Sequence, residues 1–131
     1  MIEILQPTGW VRPKGYANGI AARGKQIYVS GMIGWDAECQ FQTDDFVAQS
    51  RQALENVVAV LREAGAGPEH IVRMTWYVLD RREYMQAGAA LGAASREVIG
   101  RHFPAMSAVQ VAALMEERAR VEIEVTAVVP D

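Results

Sequence analysis

Apolar side chains occupy every second position in the segment 119–129, which reads ARVEIEVTAVV. The apolar set consists of Val121, Ile123, Val125, Ala127 and Val129, and the alternate set consists of Arg120, Glu122, Glu124, Thr126 and Val128. Because successive side chains of a strand point to opposite faces of its sheet, this segment predicts a strand with one buried and one mostly polar face. The chain must therefore supply a sheet and a layer that covers one side of it.

Strand patterns occur in five other segments and helix patterns in two. The six predicted strands are Met1–Leu5, Ile20–Ala22, Gln26–Ile33, Ile71–Leu79, Ser107–Leu114 and Ala119–Val129. The first helix is expected between Thr43, which is a suitable N-cap, and Gly65, because apolar residues recur at helical spacing between them. The second helix is predicted over Arg82–Arg101, which is rich in alanine and ends before Pro104.

The predicted element order is βββαβαββ. This order favours an α+β fold in which two helices pack on one face of a mixed sheet, since each helix has a single apolar stripe to bury. The other face of the sheet carries Glu122 and Glu124 but also Val128. A face that is polar but not wholly polar leads us to expect association between subunits.

Length, composition and charge exclude several classes of protein. A chain of 131 residues with 50% apolar and 22% charged side chains is typical of one globular domain, here residues 1–131. The net charge of −3 disfavours nucleic acid as a partner. Cys39 is the only cysteine, and the N-terminal segment has neither a signal-peptide nor a membrane-span pattern, so a cytoplasmic protein is expected. His70 and His102 have no partner at ligand spacing, so neither a metal nor another cofactor is predicted.

A family resemblance extends over nearly the whole chain. The segments that carry it, in order, are GYANGIA, QIYVSGMIGWD, QALENVVAVLREAGAGPEHIVRMTWYVLD, FPAMSAVQVAAL and VEIEVTAV. Together they are similar to the Rid family, also called YjgF or reactive-intermediate deaminases. The resemblance implies a chorismate-mutase-like α+β fold and a homotrimer with three small-molecule clefts between neighbouring subunits. The best-known relatives hydrolyse small enamines or imines to ammonia and a 2-oxo acid.

One position departs from the family pattern. The family's PAR-S motif contains an arginine that anchors the substrate carboxylate, whereas residues 104–107 here read PAMS. Met106 has neither a charge nor a donor, and each charge-assisted hydrogen bond to a carboxylate contributes about 1.5–3 kcal/mol. We therefore expect low activity on ordinary 2-imino acids, with Met106 contacting a ligand as an apolar wall. The resemblance also aligns Gly92 and Ser95 with an Asn and a Tyr of the family.

Five other residues are candidates for the site. The resemblance assigns Tyr16, Ser30 and Gly31 to substrate binding and Glu122 to catalysis, as the carboxylate that orients the attacking water. The strand pattern alone allows a different interpretation, in which Glu122 belongs to a cross-strand charge pair. Arg120 precedes it by two positions, and it either replaces the missing anchor or pairs with a carboxylate.

Three functional hypotheses follow. The first is a deaminase or related hydrolase acting on an enamine, an imine or an amino-substituted unsaturated acid that the usual arginine does not anchor. The second is a noncatalytic homotrimer that binds a small metabolite. The third is the endoribonuclease or translation-inhibitor role of some relatives, which the acidic net charge and the absence of a basic cluster disfavour.

Overall fold

Four strands form the main sheet of the computed structural model, which describes residues 2–131. The strands are β1 (Ile2–Leu5), β2 (Gly19–Ala22), β3 (Lys25–Ile33), β4 (Ile71–Val78), β5 (Ala105–Gln110) and β6 (Val121–Val129). The α-helices are α1 (Phe46–Glu63), α2 (Arg81–Gln86) and α3 (Gly88–Val98), and a 3-10 turn at Pro68–His70 precedes β4. The main sheet has the order β3-β6-β4-β5, with β4 and β5 parallel and its other pairs antiparallel. Strands β1 and β2 form a separate antiparallel pair.

The alternation predicted for the last strand is confirmed from Val121 to Ala127, but it fails at the end of the strand, where Val128 is buried and Val129 is half-buried. The buried side chains of β4 and β6 include Met74, Trp76, Val78, Val121, Ile123, Val125 and Ala127. Helix α1 packs against β3, β6 and α3, and it contributes the fully buried Leu54 and Leu61 to the same core. The predicted α+β fold, with its helices on a mixed sheet, is therefore confirmed. None of the helices within residues 2–131 is long and apolar enough to cross a membrane.

The number of helices was predicted wrongly. The helix predicted over Arg82–Arg101 is divided at Ala87 into α2 and α3, so the order contains three α-helices instead of two. Asp80 caps α2, since its carboxylate accepts hydrogen bonds from the backbone N–H groups of Arg82 and Glu83. The break occurs directly before Gly88, and glycine weakens a helix by about 1 kcal/mol relative to alanine.

The limits of several other elements also differ from the prediction; the last strand, for example, begins at Val121 and not at Ala119. Asp45, and not Thr43, is the N-cap of α1, and its carboxylate accepts a hydrogen bond from the N–H of Ala48 at 2.9 Å. The helix begins there because Phe46 is its first buried apolar residue. The strand predicted over Ser107–Leu114 is Ala105–Gln110, because its parallel partner β4 ends opposite Gln110.

A buried amide connects α1 to the sheet. The Gln49 Nε2 group donates to the carbonyl oxygens of Thr43 at 2.9 Å and Arg118 at 3.1 Å, and its Oε1 accepts from the N–H of Arg120 at 2.9 Å. The Gln49 side chain is fully buried, and these three hydrogen bonds satisfy its amide group in the interior. This one side chain holds the segment before α1 and the segment before β6 in fixed positions.

Replacing Gln49 with alanine is expected to destabilise the fold by about 3 kcal/mol, because three hydrogen bonds of about 1 kcal/mol each are lost. Urea unfolding followed by circular dichroism measures the loss. Gln86→Ala, on the exposed surface of α2, is the control and should change stability by less than about 0.5 kcal/mol. Equal stability of the two variants would contradict the role given to Gln49.

Candidate functional site

A cavity of about 720 Å³ is lined by residues of α2, α3, β4 and β5. Its size lies within the range of small-molecule sites, roughly 300–1,000 Å³. Much of its wall is apolar and comes from Met74, Trp76, Met85, Leu91, Phe103 and Met106. The size and lining of the cavity therefore suit a ligand with a substantial apolar part.

The parallel pairing of β4 with β5 positions Met106 in this cavity. Met106 lies opposite Met74, and paired residues of neighbouring strands point to the same face of a sheet. Since Met74 is buried beneath the helices, Met106 also points to the helix side, where it is half-buried against the core. The prediction that Met106 borders a ligand remains a prediction, but its side chain does line the cavity.

Tyr16 reaches the same cavity through a backbone connection. The N–H of Ala17 donates to the carbonyl oxygen of Pro104 at 3.0 Å, and Ala17 forms a parallel bridge with Ala105. These contacts place the N-terminal segment beside the start of β5. As a result Tyr16, which is 42% exposed, lies on the cavity wall together with Met106.

Small residues on α3 give the cavity its width. Gly88, Gly92 and Ser95 all line it, and a Cβ atom added at Gly88 would meet no atom within 4 Å. Gly92 and Ser95 are the positions that the family resemblance aligns with larger polar side chains. Their small size here leaves space for a bulkier ligand.

Two polar side chains, Tyr84 and His102, border the cavity. Burial raises the pKa of the Tyr84 phenol, so it stays neutral at physiological pH. The Tyr84 ring packs edge-on against Trp76 at 5.9 Å between centroids. The Nε2 atom of His102 lies 2.6 Å from the carbonyl oxygen of Ile71, so Nε2 carries a proton and donates it to that oxygen.

Sequence reasoning missed two charged residues in the cavity, Lys14 and Arg96. Arg96 of α3 lines it, and its Nη1 atom lies 3.5 Å from the position of a Cβ added at Gly92. The side chain therefore extends back along the helix across the space that Gly92 leaves. The available signal was the spacing of four residues between Gly92 and Arg96, which places both on one face of a helix.

Gly31 and Glu122 lie together on the other side of the sheet. The pairing of β3 with β6 is irregular between Val29 and Met32, and a Cβ added at Gly31 would collide with the Glu122 carboxylate. Glu122 alternates with the buried Val121 and Ile123, so it points away from the helices. Ser30 is exposed beside Gly31.

The neighbouring Glu124 has a structural partner. The hydroxyl of Tyr77 donates to Glu124 Oε1 at 2.5 Å, and this hydrogen bond is the main cause of the raised pKa of Tyr77. Within residues 2–131 the Glu122 carboxylate makes no hydrogen bond or ion pair. The cross-strand charge pair considered for Glu122 is thus not formed.

Arg120 does not line the cavity that contains Met106. Its Nη2 atom pairs with Glu83 Oε1 of α2 at 2.6 Å, and both side chains are about one-third exposed. This ion pair agrees with the alternative in which Arg120 pairs with a carboxylate. Its role in substrate binding remains a prediction.

The candidate residues consequently form two groups on opposite sides of one sheet. Met106 and Tyr16 belong to the cavity on the helix side, and Gly31 and Glu122 lie on the other side. A single chain does not bring the two groups together. Among residues 2–131, no three His, Cys, Asp or Glu side chains are arranged to hold a metal ion.

Comparison with known proteins gives consistent matches. The sequence model of the family described as Endoribonuclease L-PSP matches residues 11–129. A 2-iminobutanoate/2-iminopropanoate deaminase of Salmonella typhimurium is 35% identical over 113 residues, which are 86% of each chain. The crystal structure of the Rid family protein YyfB from Yersinia pestis has a TM-score of 0.85 at 28% identity and covers 98% of both chains. That of the yjgF gene product of E. coli has a TM-score of 0.71 at 34% identity, covering 88% of both.

These matches show that the protein has the α+β fold of the YjgF structures. The chain belongs to the Rid family, also called the YjgF family, whose sequence model covers it from residue 11 to residue 129.

The contact between Gly31 and Glu122 has a measurable consequence. Gly31→Ala is expected to displace the flexible Glu122 carboxylate and to lower stability by less than about 1 kcal/mol. Gly34→Ala is the matched control, because its Cβ would lie 2.7 Å from the backbone Cα and O atoms of Gln49, which cannot move cheaply. That control should lose about 2 kcal/mol or more in urea unfolding. Equal losses would show that Gly31 is needed for backbone packing instead.

Proposed function

We propose that this protein is a deaminase of the Rid type that hydrolyses an enamine, an imine or an amino-substituted unsaturated acid in clefts between the subunits of a homotrimer. The observation that carries the proposal is the cavity around Met106 and Tyr16, in a chain related to a deaminase of Salmonella typhimurium over 86% of its length. Hydrolysis needs water but no cofactor. We place the reaction in the cytoplasm, consistent with a single exposed cysteine, Cys39.

The division of the site residues between two faces supports the trimer. In one chain the sheet separates Glu122 from the cavity, so a complete site requires the Glu122 face of a second copy. We infer from the resemblance to the Rid family that this second copy is a neighbouring subunit of a homotrimer. The cleft between the two copies would then hold the ligand between an apolar wall and a carboxylate.

The chemistry assigned to each group follows from the reaction. Water adds to the carbon of the C=N bond, and Glu122 orients that water and accepts its proton. The proton then passes to the nitrogen, which gives a carbinolamine. Glu122 next transfers the proton of the new hydroxyl group to the same nitrogen, so that ammonia leaves as the carbon–oxygen double bond forms. Backbone groups at Ser30 and Gly31 stabilise the tetrahedral intermediate through hydrogen bonds in a partly dry cleft.

Met106 limits the choice of substrate. An apolar thioether cannot bind a small carboxylate as a guanidinium does. Ordinary 2-imino acids are bound mainly through their carboxylate and should therefore be poor substrates. The same residue favours the second candidate function, a noncatalytic homotrimer that binds a metabolite through apolar contacts.

Restoring arginine tests the role of Met106. Wild-type protein should release little ammonia from 2-imino acids generated by an amino-acid oxidase. Met106→Arg should raise kcat/KM for them by at least about tenfold, because a charge-assisted contact to the carboxylate is regained. Met115→Arg is the control, since Met115 is 92% exposed and lies outside the cavity. Rapid wild-type turnover of these imines would contradict the proposal.

A second substitution separates a deaminase from a binding protein. Glu122→Gln should abolish ammonia release by the protein, at least about 100-fold in kcat, while the assembly measured by light scattering stays intact. Glu124→Gln is the matched control, because it keeps an acceptor for the hydroxyl of Tyr77. If Glu122→Gln turns over like the wild type, Glu122 is structural. If no imine or enamine is hydrolysed at all, the noncatalytic alternative stands.

A further inference from the structure

The cavity around Met106 carries cationic side chains and no acidic ones. Lys14 and Arg96 line it, and none of its lining residues is Asp or Glu. The whole chain has a net charge of −3, so the local charge is opposite in sign to that of the molecule. An apolar cavity bordered by positive charge attracts an anion.

Arg96 has donors available for such an anion. Within residues 2–131 it forms no ion pair, whereas Arg51, Arg118 and Arg120 each pair with a carboxylate. Its guanidinium lies over the space beside Gly92, on the cavity wall. A planar guanidinium can bind a carboxylate through two parallel hydrogen bonds, which a lysine ammonium such as that of Lys14 cannot.

The remaining wall suits an apolar or aromatic body. Met74 and Met106 present thioethers, which make favourable contacts with aromatic rings. Trp76 and Tyr84 form an edge-on aromatic pair on the same wall. Gly88 and the other small residues of α3 leave room that a two- or three-carbon acid would not fill.

We propose that this cavity binds a monocarboxylic acid with a bulky apolar or aromatic body, whose carboxylate is held by Arg96 in place of the arginine that Met106 replaces. This inference rests on the proposed function, in which the cavity is the substrate site. The substrate class is then a 2-imino acid or enamine acid with a large apolar side chain. Arg96 binds the ligand from α3, and Met106 contacts its apolar body from β5.

Calorimetric binding of two stable probes to the full-length protein tests the inference without turnover. The probes are 4-phenylbutanoate and its neutral amide, which have the same apolar body and differ in charge. The acid is expected to bind about tenfold more tightly than the amide. Arg96→Gln should remove that preference while leaving amide binding unchanged. Arg101→Gln is the matched control, because it removes the same charge from an exposed residue outside the cavity.

Each outcome of the binding test decides the inference. Loss of the preference in Arg96→Gln and its retention in Arg101→Gln support it. Equal binding of acid and amide, binding of neither, or a preference that survives Arg96→Gln overturns it. Thermal unfolding of both variants near the wild-type temperature shows that the change is local. Selective binding without ammonia release from any imine overturns the proposed deaminase but not this anion site, and turnover without selective binding does the reverse.

Discussion

Alternate side chains are buried beneath the helices from Met74 to Val78 in β4 and from Val121 to Ala127 in β6, and the positions of the candidate site residues depend on this alternation. Within one chain, the sheet separates side chains that point to its covered face from those that point to its outer face. Met106 lies on the same face of the sheet as the buried Met74, and Glu122 lies on the opposite face. The buried amide of Gln49 holds α1 in position, and α1 covers the inner face of the sheet.

The departure of Met106 from the family pattern belongs to a wider change in the cavity. One cation is absent from the sheet wall, and another, Arg96, is present on the helix wall. Gly92 and Ser95 leave open the volume that lies between these walls. In the proposed site, Arg96 and the wider apolar interior together favour a larger acid than the 2-iminobutanoate and 2-iminopropanoate named for a relative.

The sequence predicted the strands and the buried faces well, because a period of two along β6 admits one arrangement of side chains. The prediction from sequence failed for features that depend on tertiary contacts. The division between α2 and α3 depends on where helix formation is weakest, near Gly88, and not on an apolar stripe. The resemblance identified Met106 as the missing anchor. The spacing of Gly92 and Arg96 places both on one face of a helix, but it does not indicate that this face borders the cavity. That contact depends on how α3 lies over β5, which is set by the whole core.

The central claim is that the cavity of one subunit meets the Glu122 face of another. Cross-linking between two single-cysteine chains tests it most directly, with Cys39 replaced by serine so that each chain has one thiol. A chain carrying Ala108→Cys, on the cavity wall, is assembled with a differently tagged chain carrying Glu122→Cys and treated with a short bismaleimide. The account predicts a covalent product containing both tags, and none when the cysteine replaces Val60 on the outer side of α1. Absence of the 108–122 product from an intact assembly would contradict it.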